Sequence, residues 1–292
     1  MAIEAKVIAD SISQSGKRIT TLQVKFHRFI LPEFNTHRVF SRNFSSSRAI
    51  PTKKLLEQVR NDPAMPVHWG ANQAGMQAER ELEGDALKNA QFSWRRAAES
   101  AASMAEIMAD LGAHKQIVNR IIEPYIWANG IVTSTEWENW FELRAHPDAQ
   151  PEIHELALRM QDAMSASTPR LLKEGEWHLP YITDEEREDP FYHIEANKSS
   201  NMLAKISAAR CCRVSYLKHD GTKADVNEDL FLFQRLAGAV PKHYSPLEHQ
   251  ATPDEIVPGN RMAMASWKHP ELHGNFKGWC QYRRMDEFNI FL

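Results

Sequence analysis

Residues 19 to 27 read Ile-Thr-Thr-Leu-Gln-Val-Lys-Phe-His, and in them Leu22, Val24 and Phe26 alternate with Thr21, Gln23 and Lys25. A period of two sends neighbouring side chains to opposite faces of a strand, so this segment predicts a half-buried strand. Lys6 to Ala9 reads as its partner, with Ser15-Gly16 as the turn between them. Helical stretches follow. Residues 91 to 112 carry many alanines with apolar Phe92, Ala98, Ala102, Ala105 and Leu111, and Gly112 is placed to end that helix. Further helices are expected over about Lys115 to Ile122, stopping near Pro124, then Ser134 to Arg144, then Pro151 to Met164. The stretch from Pro51 to about residue 90 is polar and rich in Asn and Gln. Residues 166 to 198 read as loop, with Pro169, Pro180 and the acidic run Asp184-Glu185-Glu186, and form the best candidate linker. Residues 200 to 217 read as helix then strand, and Asn227 to Leu236 as helix. The expected fold is α+β, an antiparallel or mixed sheet with helices packed on it, in a single catalytic domain over residues 1 to 292.

Composition narrows the function classes. At 292 residues, with 42% hydrophobic and 25% charged residues, the chain is long enough for a sizeable core. A formal net charge of −3 gives no global field to draw nucleic acid, so any anion site must be local. No apolar run approaches the roughly 20 residues that span a bilayer, and the start, Met-Ala-Ile-Glu-Ala-Lys, is not a secretory signal. Cys211, Cys212 and Cys280 make neither a disulfide framework nor a zinc pattern, so no metal is expected and the cysteines read as buried thiols in a reducing cytoplasm.

Such a local site is offered by residues 36 to 49, Thr-His-Arg-Val-Phe-Ser-Arg-Asn-Phe-Ser-Ser-Ser-Arg-Ala. His37, Arg38, Arg42 and Arg48 can be cationic and lie among Ser41, Asn43, Ser45, Ser46 and Ser47, with no acidic residue between. Arginine forks beside hydroxyls can hold phosphate by charge-assisted hydrogen bonds. A solvated basic loop is the competing reading.

The same segment resembles the flavin-dependent thymidylate synthases, whose motif runs R-H-R-x-x-S-x-N-E-x-S-x-R-Y. His37, Arg38, Ser41, Asn43, Ser46 and Arg48 meet it, while Thr36, Phe44 and Ala49 depart from it. Residues 114 to 157 resemble the helical part of the same family, through Arg120 with Pro124, Asn139 with Leu143-Arg144, and Ala149-Gln150 with Glu152-Ile153. Here Glu123 replaces a family Leu and Asp148 a frequent His. Ser207 to Tyr216 (SAARCCRVSY) and Lys242 to His249 (KHYSPLEH) are similar to family segments that precede the basic motif, yet here they follow it. That order is what a circular permutation produces, and folds tolerate it because termini often lie close together. Residues 55 to 90, 166 to 198 and 251 to 275 have no counterpart.

The resemblance implies a chemistry. Arg144, Ser46 and Arg48 are the candidate catalytic residues, with Arg144 polarising the pyrimidine ring. Arg120, Arg48 and Ser46 would hold the substrate phosphate, and Glu33 and Gln150 would lie beside the nucleotide. His37, Arg38, Asn43, Asn139, Ser215, His243 and Ser245 would line the flavin and folate side, with Glu248 and His249 supporting the loop. Family precedent is methylation of dUMP at ring carbon 5 in a homotetramer with shared sites, using FAD, NADPH and methylenetetrahydrofolate. One-carbon and hydride chemistry lies beyond side chains, so a flavin would carry it; no G-x-G-x-x-G indicates a Rossmann-type site.

The departures open alternatives. Thr36 lacks a charge for a flavin phosphate, and Phe44 removes a carboxylate. An ionised Glu33 accepts hydrogen bonds but cannot donate them, which suits a base edge bearing an amino group. Hydroxymethylation of dUMP, or modification of dCMP in a diverged viral (phage) branch, are therefore alternative products. An inactive relative that binds nucleotide or flavin, and a nucleic-acid binder, are the competing classes. Negative net charge and the lack of aromatic interleaving beyond Phe40 and Phe44 count against the last.

Overall fold

The alternating segment is β2 (Arg18–His27), paired antiparallel with β1 (Glu4–Ser13) around Gly16, whose φ of 77° favours glycine. A computed structural model describes residues 2–193, 202–214, 222–223, 225–258 and 265–290, and these are α+β. The main sheet runs β3-β4-β2-β1-β5, with β3 Ser41–Phe44, β4 Trp127–Ser134 and β5 Arg170–Leu172. β5 lies parallel to β1 and the other pairings are antiparallel, so the sheet is mixed.

Several elements differ from expectation. Residues 127 to 134, read within a helical block, form the interior strand β4, flanked by β2 and β3. Its β-branched Ile131-Val132-Thr133 run suits a strand buried on both faces. The helix expected to reach Ile122 stops at Val118. The polar stretch after Pro51 contains helix Thr52–Asn61, which packs Leu55, Leu56 and Val59 against Ala98, Ala102 and Ala105 of helix Gly84–Asp110. That long helix ends as expected: Gly112, at φ 84°, donates to the Ala109 carbonyl (2.9 Å) and Ala113 to that of Met108 (3.0 Å). The candidate linker holds β5 and a helix, Asp184–Glu188, capped reciprocally by Thr183 and Glu186. Glu186 also pairs with Arg210 of helix Met202–Arg213 at 2.6 Å. The strand expected near residue 216 lies outside the described residues.

The two faces of the sheet are covered differently. Leu22, Val24 and Phe26 of β2 with Ala128 and Val132 of β4 meet Ile153, Leu156, Ala157 and Met160 of helix Pro151–Ser165. Burying each large apolar side chain contributes about 1.5–3 kcal/mol. Phe44 joins this face, edge-on to Phe26 and Phe34 with centroids 5.4 and 5.6 Å away. It lies over Gly130, where a Cβ would come within 2.1 Å of its ring.

The opposite face, expected to be polar and half-exposed, is instead sealed by the second half of the chain. Thr21 and Thr133 are fully buried. A line of hydrogen bonds crosses the strands: Ser11 Oγ to His178 Nδ1 (2.9 Å), His178 Nε2 to Thr21 Oγ1 (2.8 Å), Thr21 to Thr133 (2.7 Å), and Thr133 Oγ1 to His249 Nδ1 (2.8 Å). Tyr181 OH donates to Gln23 Oε1 at 3.0 Å. Burial, aided by Arg187, lowers the pKa of His178 to about 3. Burial, aided by His178, does the same for His249. Both rings are therefore neutral at pH 7. Among the described residues no helix is long and apolar enough to cross a membrane.

Candidate active site

β3 and its two flanking turns carry the basic segment, and each presents a different group of side chains. In the turn before it, His37 is buried between aromatic rings, with Trp140 edge-on at 4.7 Å and Phe40 stacked at 5.9 Å. Arg144, in the last turn of helix Glu138–Arg144, donates from Nε to His37 Nε2 at 3.0 Å. Arginine can only donate, so Nε2 is the acceptor and the ring proton sits on Nδ1. Burial, then the charges of Arg144 and Arg42, lower the His37 pKa to about 4. This corrects the reading of His37 as one of four cationic groups: it is a neutral base that orients Arg144.

Arg42 is also spoken for. Its guanidinium donates to Asn35 Oδ1 (2.8 Å), to the Asn35 and His37 carbonyls (3.1 and 3.0 Å) and to that of Phe40 (3.2 Å). It braces the turn that holds His37. Thr36, where the family motif has arginine, closes the same turn by donating from Oγ1 to the Glu33 carbonyl at 2.7 Å. Glu33 and Arg38 are exposed on this surface.

The turn after β3 meets residues 115 to 123. Ser47 Oγ donates to Glu123 Oε1 (2.6 Å), and Arg120 Nη1 reaches the same oxygen at 2.9 Å. Arg28 stands 3.7 Å from it. Asn119, fully buried, donates to the Ser47 and Ile50 carbonyls (2.7 and 3.1 Å) and accepts from Thr52 Oγ1. Lys115 Nζ donates to the Ala49 carbonyl (3.0 Å). Ser46 is half-buried and Arg48 exposed in the same turn. Arg120 and Ser46 are thus brought to one neighbourhood, but Glu123 already engages the Arg120 guanidinium.

β3 itself turns Asn43 to the other side of the sheet. Its Nδ2 donates to the Cys211 carbonyl (2.9 Å), and its Oδ1 accepts from Ser245 Oγ (3.3 Å). Ser41 Oγ accepts from Gln281 Nε2 at 3.1 Å. Glu248 is half-buried and paired with Arg283; burial raises its carboxyl, opposed by Arg283 and Arg42. His243 is exposed, as is Asn139 at the start of the helix bearing Arg144. Gln150 is the N-cap of helix Pro151–Ser165, accepting from Ile153 N–H at 3.1 Å and donating to Glu152. Ser215 lies outside the described residues.

Three stretches remote in the chain therefore converge on residues 35 to 50. Residues 115–123, Arg144, and the 211–245 region each hydrogen-bond to that segment. The sequence reading missed Asn119 and Arg28, and took Glu123 only as a departure. Lone Asn, Arg and Glu side chains carry no signal of burial or pairing until their partners are known.

A family model described as thymidylate synthase complementing protein matches residues 18–170, just over half of the chain. Among solved structures the chain is similar to a UMP/dUMP methylase, PolB from Streptomyces cacaoi, bound with 5-Br UMP: 19% identity, TM-score 0.45, covering 56% of this chain and 88% of that chain. The same enzyme bound with 5-Br dUMP is similar at 16% identity and TM-score 0.44, covering 56% and 90%. No curated protein matches.

Proposed function

The chain belongs to the thymidylate synthase complementing protein family, the flavin-dependent thymidylate synthases, and from that premise we propose that it transfers a one-carbon unit to C5 of a pyrimidine deoxynucleotide of the dUMP type. The observation that carries the reading is the Arg144–His37 pair. A guanidinium held by a neutral imidazole is aimed by it without losing charge, and keeps its Nη groups for a substrate carbonyl. Negative charge developing on the ring is stabilised by such a preorganised cation, and C5 becomes nucleophilic. Arg144 also sits at a helix C-terminus, where the macrodipole favours a cation.

The donor set suits an anionic dinucleotide. Arg38 and Arg48 are exposed, and among the described residues neither has a hydrogen-bond or ion-pair partner. Arg38, Asn139 and, across the sheet edge, Asn43 with Ser245 and His243 would hold FAD and folate; Arg48, Ser46 and Arg120 would hold the nucleotide phosphate. When bound, the flavin supplies hydride delivered by NADPH, and methylenetetrahydrofolate supplies the carbon. For Arg120 to grip phosphate, Glu123 must share or release it. The exposed carboxylate of Glu33 favours a second reading, a cytosine-type base with an amino group to donate. A homotetramer with shared sites is part of the proposal.

Purified protein should bind FAD and convert dUMP with methylenetetrahydrofolate and NADPH to a product identified by mass spectrometry, with dCMP as the parallel substrate. Arg144→Ala should lower turnover about 10²–10³-fold while flavin absorption is retained. Wild-type turnover in that variant, or a chain that never takes up flavin, would overturn the proposal.

A further inference from the structure

The C-terminal residues carry a second cluster of reactive side chains, outside the stretch that the family model matches. Ala251–Pro253 pairs with Trp279–Gln281, setting Thr252 opposite Cys280, and Asp254 follows directly. The short turn Pro270–Leu272 is bracketed by His269 and His273. Asp254 Oδ2 lies 2.8 Å from His273 Nε2, and Asp254 Oδ1 lies 3.2 Å from His269 Nδ1. Ligand atoms of Asp254, His273 and Cys280 all fall within 4.8 Å of one another. Asp254 and Cys280 are buried, His273 nearly so, and His269 closes the outer side at 24% side-chain exposure.

We propose that Asp254, His269, His273 and Cys280 form a closed binding site for a divalent cation of the zinc class. One sulfur, two imidazole nitrogens and one carboxylate oxygen match the borderline-soft preference of zinc and exclude the all-oxygen preference of magnesium or calcium. The His269–His273 spacing falls in the range common to zinc-binding histidine pairs. Donor atoms around a tetrahedral zinc stand roughly 3.3–3.8 Å apart, so Asp254, His273 and Cys280, within 4.8 Å of one another, need only small shifts, and His269 Nδ1, 3.2 Å from Asp254 Oδ1, must swing in as the fourth donor. The carboxylate and the thiolate together balance the charge of the ion. Binding releases the Cys280 thiol proton to solvent. It also moves the ring protons off the ligating nitrogens, from His273 Nε2 to Nδ1 and from His269 Nδ1 to Nε2, so the long 3.4 Å contact from Gly278 N–H and the His269–Asp254 hydrogen bond are given up.

Four protein donors leave no open position, so the ion would be structural. It would clamp the turn at 269–273 onto the strand pair that seals the hydrogen-bonded face of the sheet, where Ala251 exchanges backbone bonds with His178. No zinc pattern is visible in the sequence because the one cysteine stands alone and the other donors are spread from residue 254 to 269 and 273.

The test uses the full chain, stripped with a chelator and titrated with cobalt(II). A thiolate-to-cobalt charge-transfer band should appear, saturate at about one equivalent and be displaced by zinc. Cys280→Ser should abolish the band, and His273→Gln should weaken cobalt binding at least tenfold, while Cys212→Ser keeps both. Metal analysis of untreated protein, which needs no variant, should find zinc near one per chain. Wild-type protein without the band at saturating cobalt, or a band that survives Cys280→Ser, would overturn the site.

Discussion

On one face of the sheet Leu22, Val24 and Phe26 meet apolar helix residues; on the other Thr21, Gln23 and Thr133 meet two histidines and a tyrosine. Both faces are buried, but they are held by different forces. The apolar face is stabilised by area removed from water, a term indifferent to pH. The polar face is stabilised by hydrogen bonds that are worth little net when made and cost much when left unmade. Ile19 and Ile131 add apolar packing on that face, and the hydrogen-bonded line makes it sensitive to protons as well.

Acid should give the largest effect. His178 and His249 have native pKa values near 3, below the ordinary 6.5, so the unfolded state binds more protons between those limits. Stability therefore rises with pH, is complete above 6.5, and is lost as pH falls toward 3. Each histidine costs about 1.4 kcal/mol per pH unit across that window. Denaturant unfolding at pH 7 and pH 4.5 should differ by several kcal/mol, and His249→Gln should flatten the slope. An unchanged slope in that variant would break the account of the polar face.

Next, Phe26→Ala on the apolar face should cost about 3–5 kcal/mol with the pH slope intact. The same unfolding series checks it, and a cost below about 1 kcal/mol would mean the face is not close-packed. The smallest effect is expected for Thr21→Val, which keeps volume but leaves His178 Nε2 and Thr133 without their shared partner. A loss of about 1–3 kcal/mol is expected at pH 7; a neutral or stabilising result would show that the hydrogen-bonded line contributes nothing.

Local signals were legible where the chain's neighbours along the sequence decide the outcome. The β1–β2 hairpin, the Gly112 helix stop and Pro151 in a first helical turn all stand as read. β4 was not legible, because a strand buried on both faces loses the alternation that marks β2. The candidate site was partly legible: the family resemblance singled out His37 and Arg144 in separate segments, but not that one holds the other.

Residue order alone determined the hairpin, the helix ends and the side-chain chemistry gathered at residues 36 to 49, because those depend on backbone preferences and on partners a few positions away. Tertiary structure decided that the polar side of β2 is covered, that His37 is neutral, that Glu123 engages Arg120, and that Asp254, His273 and Cys280 meet. Burial and charge pairing are set by groups tens to hundreds of positions distant, and a proton's affinity for a ring follows from what surrounds it in space.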